Sequence, residues 1–143
     1  RLKLNNVIPL NKGIWSSSGT FFIEITEDSL TCRIESEFDQ DSSADKNKYF
    51  KVECVTLDDL LSLYDLDKVN LIKMDIEGAE LEALEGATSI MKDHAPCFTI
   101  ASYHIREQED TSRRLERILT ENGFKAFSIY PPHLTTCGLK EAV

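Results

Sequence analysis

The second half of the chain alternates short apolar runs with amphipathic stretches. The runs at 69–74 (VNLIKM), 97–103 (CFTIASY) and 124–130 (FKAFSIY) have the length and composition of buried strands. Between them, apolar residues recur with helical spacing over 79–93 and 113–122. Strands that alternate with helices of this length predict right-handed βαβ units, a largely parallel sheet and helices on its faces.

The first half of the chain has a less regular pattern. Residues 7–10 (VIPL) and 21–25 (FFIEI) predict two strands, and the Gly- and Ser-rich segment between them predicts a hairpin turn. The polar stretch at 37–48 has no periodicity and predicts a surface loop. Thr56 with Asp59 predicts a capped helix start.

Composition and charge exclude several classes of protein. With 143 residues, of which 41% are apolar, the chain suffices for one domain. The 16 basic residues are scattered and are outnumbered by 25 acidic ones, which argues against a surface for nucleic acid or anionic membrane. No apolar run approaches the roughly 20 residues of a membrane span, and no leader pattern is visible. A soluble, cytoplasmic protein is therefore expected.

The four cysteines are widely spaced and form no CxxC pair: Cys32, Cys54, Cys97 and Cys137. This spacing disfavours a zinc ribbon or a redox motif. Free, buried thiols in a reducing compartment are the favoured interpretation over disulfides.

Candidate chemistry lies where two predicted strands end. Asp75 and Glu77 directly follow the run at 69–74, and His104 follows the run at 97–103. Because parallel strands gather their carboxyl ends at one edge, we expect Asp75 and His104 to be neighbours. A carboxylate and an imidazole there can share a proton, orient a hydroxyl or hold a divalent ion, although His104 can equally cap a backbone carbonyl. The glutamates of the following helix are instead predicted to be solvated and to favour its N-terminal dipole: Glu80, Glu82 and Glu85.

Three segments of the chain carry a family resemblance. VTLDDLL (55–61), VNLIKMDIEGAELEALEGA (69–87) and PCFTIASYH (96–104) resemble the C-terminal half of the FkbM family of S-adenosylmethionine-dependent methyltransferases. LNNVIPLNKGIWSSSGT (4–20) resembles the segment that precedes it in that family. The resemblance implies a Rossmann-like class I methyltransferase fold, S-adenosylmethionine as methyl donor, and O-methylation of a hydroxyl on a sugar, lipid or polyketide-like small molecule.

Residue roles follow from the resemblance by position. The resemblance implies catalytic roles for Asp75, Glu77 and His104, because these residues lie where the fourth and fifth strands of that fold meet cofactor and substrate. The resemblance also implies cofactor binding by Asn11, Lys12 and Gly13, which follow the third strand near the position of the adenine. It assigns no metal ion.

The sequence also departs from the family pattern. The six glycines form no GxGxG cluster, so the glycine-rich loop and the first two strands of the fold are absent. The chain begins at RLKLNN, which resembles the helix after the second strand, and stops at LKEAV, where the final antiparallel strand would begin. A single domain over 1–143, truncated at both ends, is therefore expected. In the implied strand order 3-2-1-4-5-7-6, the missing strands leave 69–74 as an exposed apolar edge, which favours edge-to-edge self-association.

Two hypotheses of different class remain open. In the first, the chain is a methyltransferase in which Asp75, with His104, orients or deprotonates an acceptor hydroxyl. A metal-assisted version is open, because Asp75, Glu77 and His104 offer oxygen and nitrogen ligands, but no ligand spacing requires a metal. In the second, the chain is a non-catalytic remnant or interaction module that does not bind the cofactor.

Overall fold

The computed structural model describes residues 5–24, 33–35, 49–130 and 132–140. Its strands are β1 Gly13–Ile14, β2 Gly19–Glu24, β3 Arg33–Glu35, β4 Tyr49–Val55, β5 Leu71–Met74, β6 Cys97–Ala101, β7 Ile105–Arg106, β8 Glu109–Asp110, β9 Lys125–Ile129 and β10 Thr135–Leu139. Its helices are α1 Leu57–Tyr64, α2 Glu80–Glu85 and α3 Ser112–Glu121, with a π-helical turn at Ile90–His94. The architecture is mixed α/β, consistent with a methyltransferase-like fold.

The main sheet has the strand order β5-β6-β10-β9. β5 runs parallel to β6, and β10 is antiparallel to both β6 and β9, so three of these four strands share one direction. The three strands predicted here are confirmed, but β10 was not predicted, and it separates β6 from β9. Its sequence, TTCGL, has no apolar run, and the final antiparallel strand was expected only from LKEAV onward. That expected position is wrong.

Helices cover one face of the main sheet. Side chains of β5 and β6 on this face form a single apolar core with side chains of α2, α3 and the segments that follow these helices. The core residues are Met74, Leu81, Ala83, Leu84, Ala87, Met91, Phe98, Ile100, Leu115, Leu119 and Phe124. On the opposite face, the aligned positions Leu71, Phe127 and Ile129 are exposed. Within the described part of the chain, the prediction of helices on both faces is therefore met on one face only.

The N-terminal strands form a separate sheet in the order β1-β4-β2-β3. The predicted hairpin is wrong, because residues 7–10 are exposed and not a strand, and Gly13–Ile14 instead pairs in parallel with β4. β2 pairs with the other edge of β4, antiparallel. A Cβ on Gly13 would lie 2.7 Å from the Cys54 sulfur, so a larger residue at this position would have to displace the Cys54 side chain. The predicted loop at 37–48 lies outside the described residues.

The predicted capped start of α1 is confirmed, whereas the predicted length of the next helix is not. At the start of α1, the Asp59 backbone N–H donates to Thr56 Oγ1 at 2.9 Å, which confirms the predicted cap. The helix predicted over 79–93 is divided: α2 ends at Gly86, and a π-helical turn follows that ends at Ala95, where φ is +47°. Pro96 then prevents further helix.

The α1 start also joins the two sheets. The Asp58 backbone N–H donates to the Gly86 carbonyl at 3.0 Å, and the Asp58 carboxylate accepts from the N–H groups of Ser89 and Ile90 at 2.8 and 2.9 Å. Ile14 and Leu57 pack against the main core. The N-terminal strands are thus held to the end of α2 by hydrogen bonds and by apolar contact.

Two further expectations concern membranes and cysteines. No helix among the described residues is long and apolar enough to cross a bilayer. Cys54, Cys97 and Cys137 are free thiols, as predicted, although Cys97 is exposed rather than buried. Cys32 lies outside the described residues.

Candidate functional site

The carboxyl ends of β5 and β6 meet at one edge of the main sheet. The two strands pair in parallel with Met74 opposite Ile100, which brings Asp75 close to His104. His104 Nε2 lies 3.9 Å from Asp75 Oδ1 and 3.6 Å from Glu77 Oε2. The structure therefore brings together the three residues for which catalytic roles were predicted, and the roles themselves stay predictions.

A tight turn directs Glu77 toward His104. Glu77 has a φ of +57° and Gly78 a φ of +94°, both in the left-handed region. Left-handed backbone is uncommon for a residue other than glycine, asparagine or aspartate. The Ala79 N–H donates to the Ile76 carbonyl at 3.3 Å and closes this turn before α2 begins. A strained conformation of this kind is often found where a side chain has a task.

Glu80 is buried, in contrast to its predicted solvation. Its side chain is fully inaccessible to solvent; Oε1 accepts from the Ile76 N–H at 2.9 Å and lies 3.2 Å from His104 Nδ1. The sequence carried a signal for this, because helical spacing puts Glu80 on the same stripe as the core residues Ala83, Leu84 and Ala87.

Tyr103 is a second residue of the site to which no role was assigned from sequence. Its hydroxyl donates to Asp75 Oδ1 at 2.9 Å, and its ring lies against the His104 imidazole with centroids 4.4 Å apart. The hydrogen bond to Asp75 raises the pKa of Tyr103, and the nearby carboxylate charges add to the effect. At neutral pH the phenol is thus a donor that orients Asp75.

Arg106 fixes the β7–β8 hairpin beside the turn. Its Nη1 donates to the Gly78 carbonyl at 2.6 Å, and its guanidinium forms a two-pronged ion pair with Glu82 at 2.9 and 3.2 Å. The hydrogen bond to Glu82 raises the pKa of Arg106. Glu82 is therefore a partner of Arg106 rather than a freely solvated residue.

Two of the three predicted cofactor residues, Lys12 and Gly13, contact β4. Lys12 forms an ion pair with Glu53, and this hydrogen-bonded cation lowers the pKa of the Glu53 carboxyl. Gly13 pairs with Cys54, and Asn11 is exposed. The contacts described for these residues are with β4 and not with the cluster at Asp75, so their cofactor role stays a prediction.

Comparison with known proteins shows the family to which this sequence belongs. The profile of the methyltransferase FkbM domain matches residues 3–126 of the 143. The crystal structure of the methyltransferase FkbM from Methylobacillus flagellatus KT is 26% identical and aligns with a TM-score of 0.49. The alignment covers 62% of this chain and 23% of that one, so this chain matches about a quarter of the length of that protein. No curated protein matches at a significant level. Because the domain profile covers most of the sequence, the chain belongs to the FkbM methyltransferase family.

Proposed function

We propose that this chain carries the acceptor side of an S-adenosylmethionine-dependent O-methyltransferase that acts on a hydroxyl of a sugar, lipid or polyketide-like small molecule. Membership of the FkbM family supports methyl transfer. The observation that carries the proposal is the cluster at the carboxyl edge of β5 and β6, where Asp75 accepts from Tyr103 and faces His104.

The residues at this edge suit an acceptor hydroxyl. Asp75 is 36% exposed and can accept the hydroxyl proton or a hydrogen bond from it. Tyr103 holds one Asp75 oxygen in place, and the nearby His104 nitrogen offers a second polar group. Methyl transfer by displacement depends on alignment and exclusion of water more than on strong acid chemistry, so a carboxylate and an imidazole suffice.

The exposed Tyr103 ring fits the sulfonium end of the cofactor, because the face of an aromatic ring attracts a cation. S-adenosylmethionine, when bound, supplies the methyl group. The contributions of this chain are to orient the acceptor and to take its proton at an Asp75 oxygen.

The proposal is tested with Asp75→Asn in the full-length protein. We expect turnover to fall by about 100-fold or more, because the substitution removes the proton acceptor. Affinity for S-adenosylmethionine, measured by calorimetry, should stay within about threefold. Glu121→Gln on α3 removes one negative charge away from the site and is the matched control.

Unchanged turnover in Asp75→Asn would refute this role for Asp75. Absence of cofactor binding in the folded wild-type protein would favour the non-catalytic interaction module.

A further inference from the structure

The His104 ring is almost enclosed but has no well-formed hydrogen bond. Its side chain is only 11% exposed, and within the described residues neither ring nitrogen has a hydrogen-bond partner. Nδ1 lies 3.2 Å from Glu80 Oε1, close enough for a hydrogen bond after a small rotation of the ring. Nε2 faces the other way, toward the carboxylates of Asp75 and Glu77.

Glu80 lies behind the imidazole, on the side of Nδ1, and so affects the hydrogen bonding of Nε2. This carboxylate is fully buried, its Oε2 has no partner among the described residues, and an ionised carboxylate can only accept. With its ring proton on Nδ1, His104 would donate to Glu80 and leave the lone pair of Nε2 free. Nε2 would then present its lone pair toward the carboxylates of Asp75 and Glu77. The Asp75 oxygens also contact the Tyr103 hydroxyl at 2.9 Å and the Lys73 ammonium at 3.5 Å.

We propose that Asp75, Glu77 and His104 Nε2 bind a divalent metal cation, with Glu80 as a positioning residue behind the imidazole. The ligand atoms of the three residues lie within 4.8 Å of one another. A histidine whose second nitrogen faces a carboxylate is the usual arrangement behind a metal-binding imidazole. One nitrogen and two carboxylate ligands suit Mn²⁺ or a similar first-row ion.

The distances require only a modest closure around the ion. Ligands about 2.1 Å from a cation lie roughly 3 Å from each other, whereas His104 Nε2 is 3.6 and 3.9 Å from its two partners. The carboxylates of Asp75 and Glu77 are 36% and 46% exposed, so both can rotate inward. Their exposure also leaves coordination positions open to water or a hydroxyl. A role of this ion in holding the acceptor hydroxyl rests on the proposed function, whereas the binding of the ion does not.

The probe is Mn²⁺ added to the metal-free full-length protein, with free Mn²⁺ followed by electron paramagnetic resonance. We expect one saturable site per chain. Asp75→Asn and Glu77→Gln change exposed side chains and should fold, and each should weaken binding by about tenfold or more. Glu121→Gln is again the control and should bind like the wild type.

The role of Glu80 has a separate readout. Because Glu80 Oε1 lies 3.2 Å from His104 Nδ1, Glu80→Gln should change the nitrogen-15 chemical shifts of His104 in the metal-free protein and weaken Mn²⁺ binding by about 10- to 100-fold. An affinity for Mn²⁺ that is equal in Asp75→Asn and the control would overturn the proposal. Because metal binding and methyl transfer are measured separately, a negative result for one proposal does not contradict the other.

Discussion

Acidic residues that are alike in sequence have different environments in this chain. Asp75 and Glu77 stay partly exposed at the strand edge, Glu82 pairs with Arg106, and Glu80 is buried against His104. For Glu80 and Glu82, the position on α2 determines the environment, because one face of α2 points to the core and the other to the β7–β8 hairpin. At the scale of single residues, the sequence correctly predicted that Asp75 and His104 are neighbours but assigned Glu80 to solvent. The burial of Glu80 depends on which side of α2 the sheet occupies.

Burial also divides the cysteines, and this yields a prediction. Burial raises the pKa of the Cys54 thiol, so less of it is thiolate at any given pH, whereas Cys97 is exposed. We expect iodoacetamide at pH 8 to modify Cys97 at least about tenfold faster than Cys54, as followed by peptide mass spectrometry. Cys54 should begin to react only at higher pH. In denaturant the two rates should converge, and equal rates in the native protein would contradict the prediction.

At the scale of elements, periodicity located helices but did not determine where they end. The apolar stripe over 79–93 continues through Gly86, yet α2 stops there. The reason lies in another part of the chain: the Gly86 carbonyl accepts from the Asp58 N–H, and the Asp58 carboxylate accepts from the N–H groups of Ser89 and Ile90, so these groups do not continue the helix. The Trp15 carbonyl and the Thr56 side chain also lie so close to Gly86 that a Cβ would clash. Strand β10 shows the same limit, because its pairing with β6 and β9 stabilises a segment with weak strand character.

The contact at Gly86 predicts a large effect of a small substitution. In Gly86→Ala the new Cβ would lie 2.6 Å from the Trp15 carbonyl oxygen and 3.1 Å from Thr56 Cβ. We expect the free energy of unfolding to fall by about 1 to 3 kcal/mol, because backbone must shift to relieve the clash. Gly19→Ala is the matched control, since its Cβ would meet only Phe21 at 3.5 Å and stability should be nearly unchanged. Equal urea midpoints for the two variants would refute this account.

At the scale of the whole molecule, the main sheet is covered on one face only within the described residues. β5 is the end strand of that sheet, and Leu71 on it is 60% exposed. On the same face, Phe127 and Ile129 are exposed on β9 at the other end of the sheet. An open strand edge beside an apolar face favours pairing with another chain, as the sequence predicted.

Self-association at β5 is therefore the prediction at this scale. In sedimentation velocity, the wild-type chain should show an average mass that rises with concentration. Leu71→Lys places a charge on the edge strand and should weaken association by about tenfold or more. Leu66→Lys makes the same change at another exposed leucine, outside the sheet, and should have little effect. A wild-type chain that stays monomeric at all concentrations would contradict the prediction.

The sequence by itself determined the α/β class, the strands at 71–74, 97–101 and 125–129, the capped start of α1 and the identity of the strand-end cluster. These features depend on local periodicity and on residues close together in the chain. Only the tertiary structure decided that β1 pairs with β4, that β10 lies between β6 and β9, and that Glu80 and Tyr103 join Asp75 and His104. These outcomes depend on contacts between segments far apart in sequence, whose packing overrides local propensity.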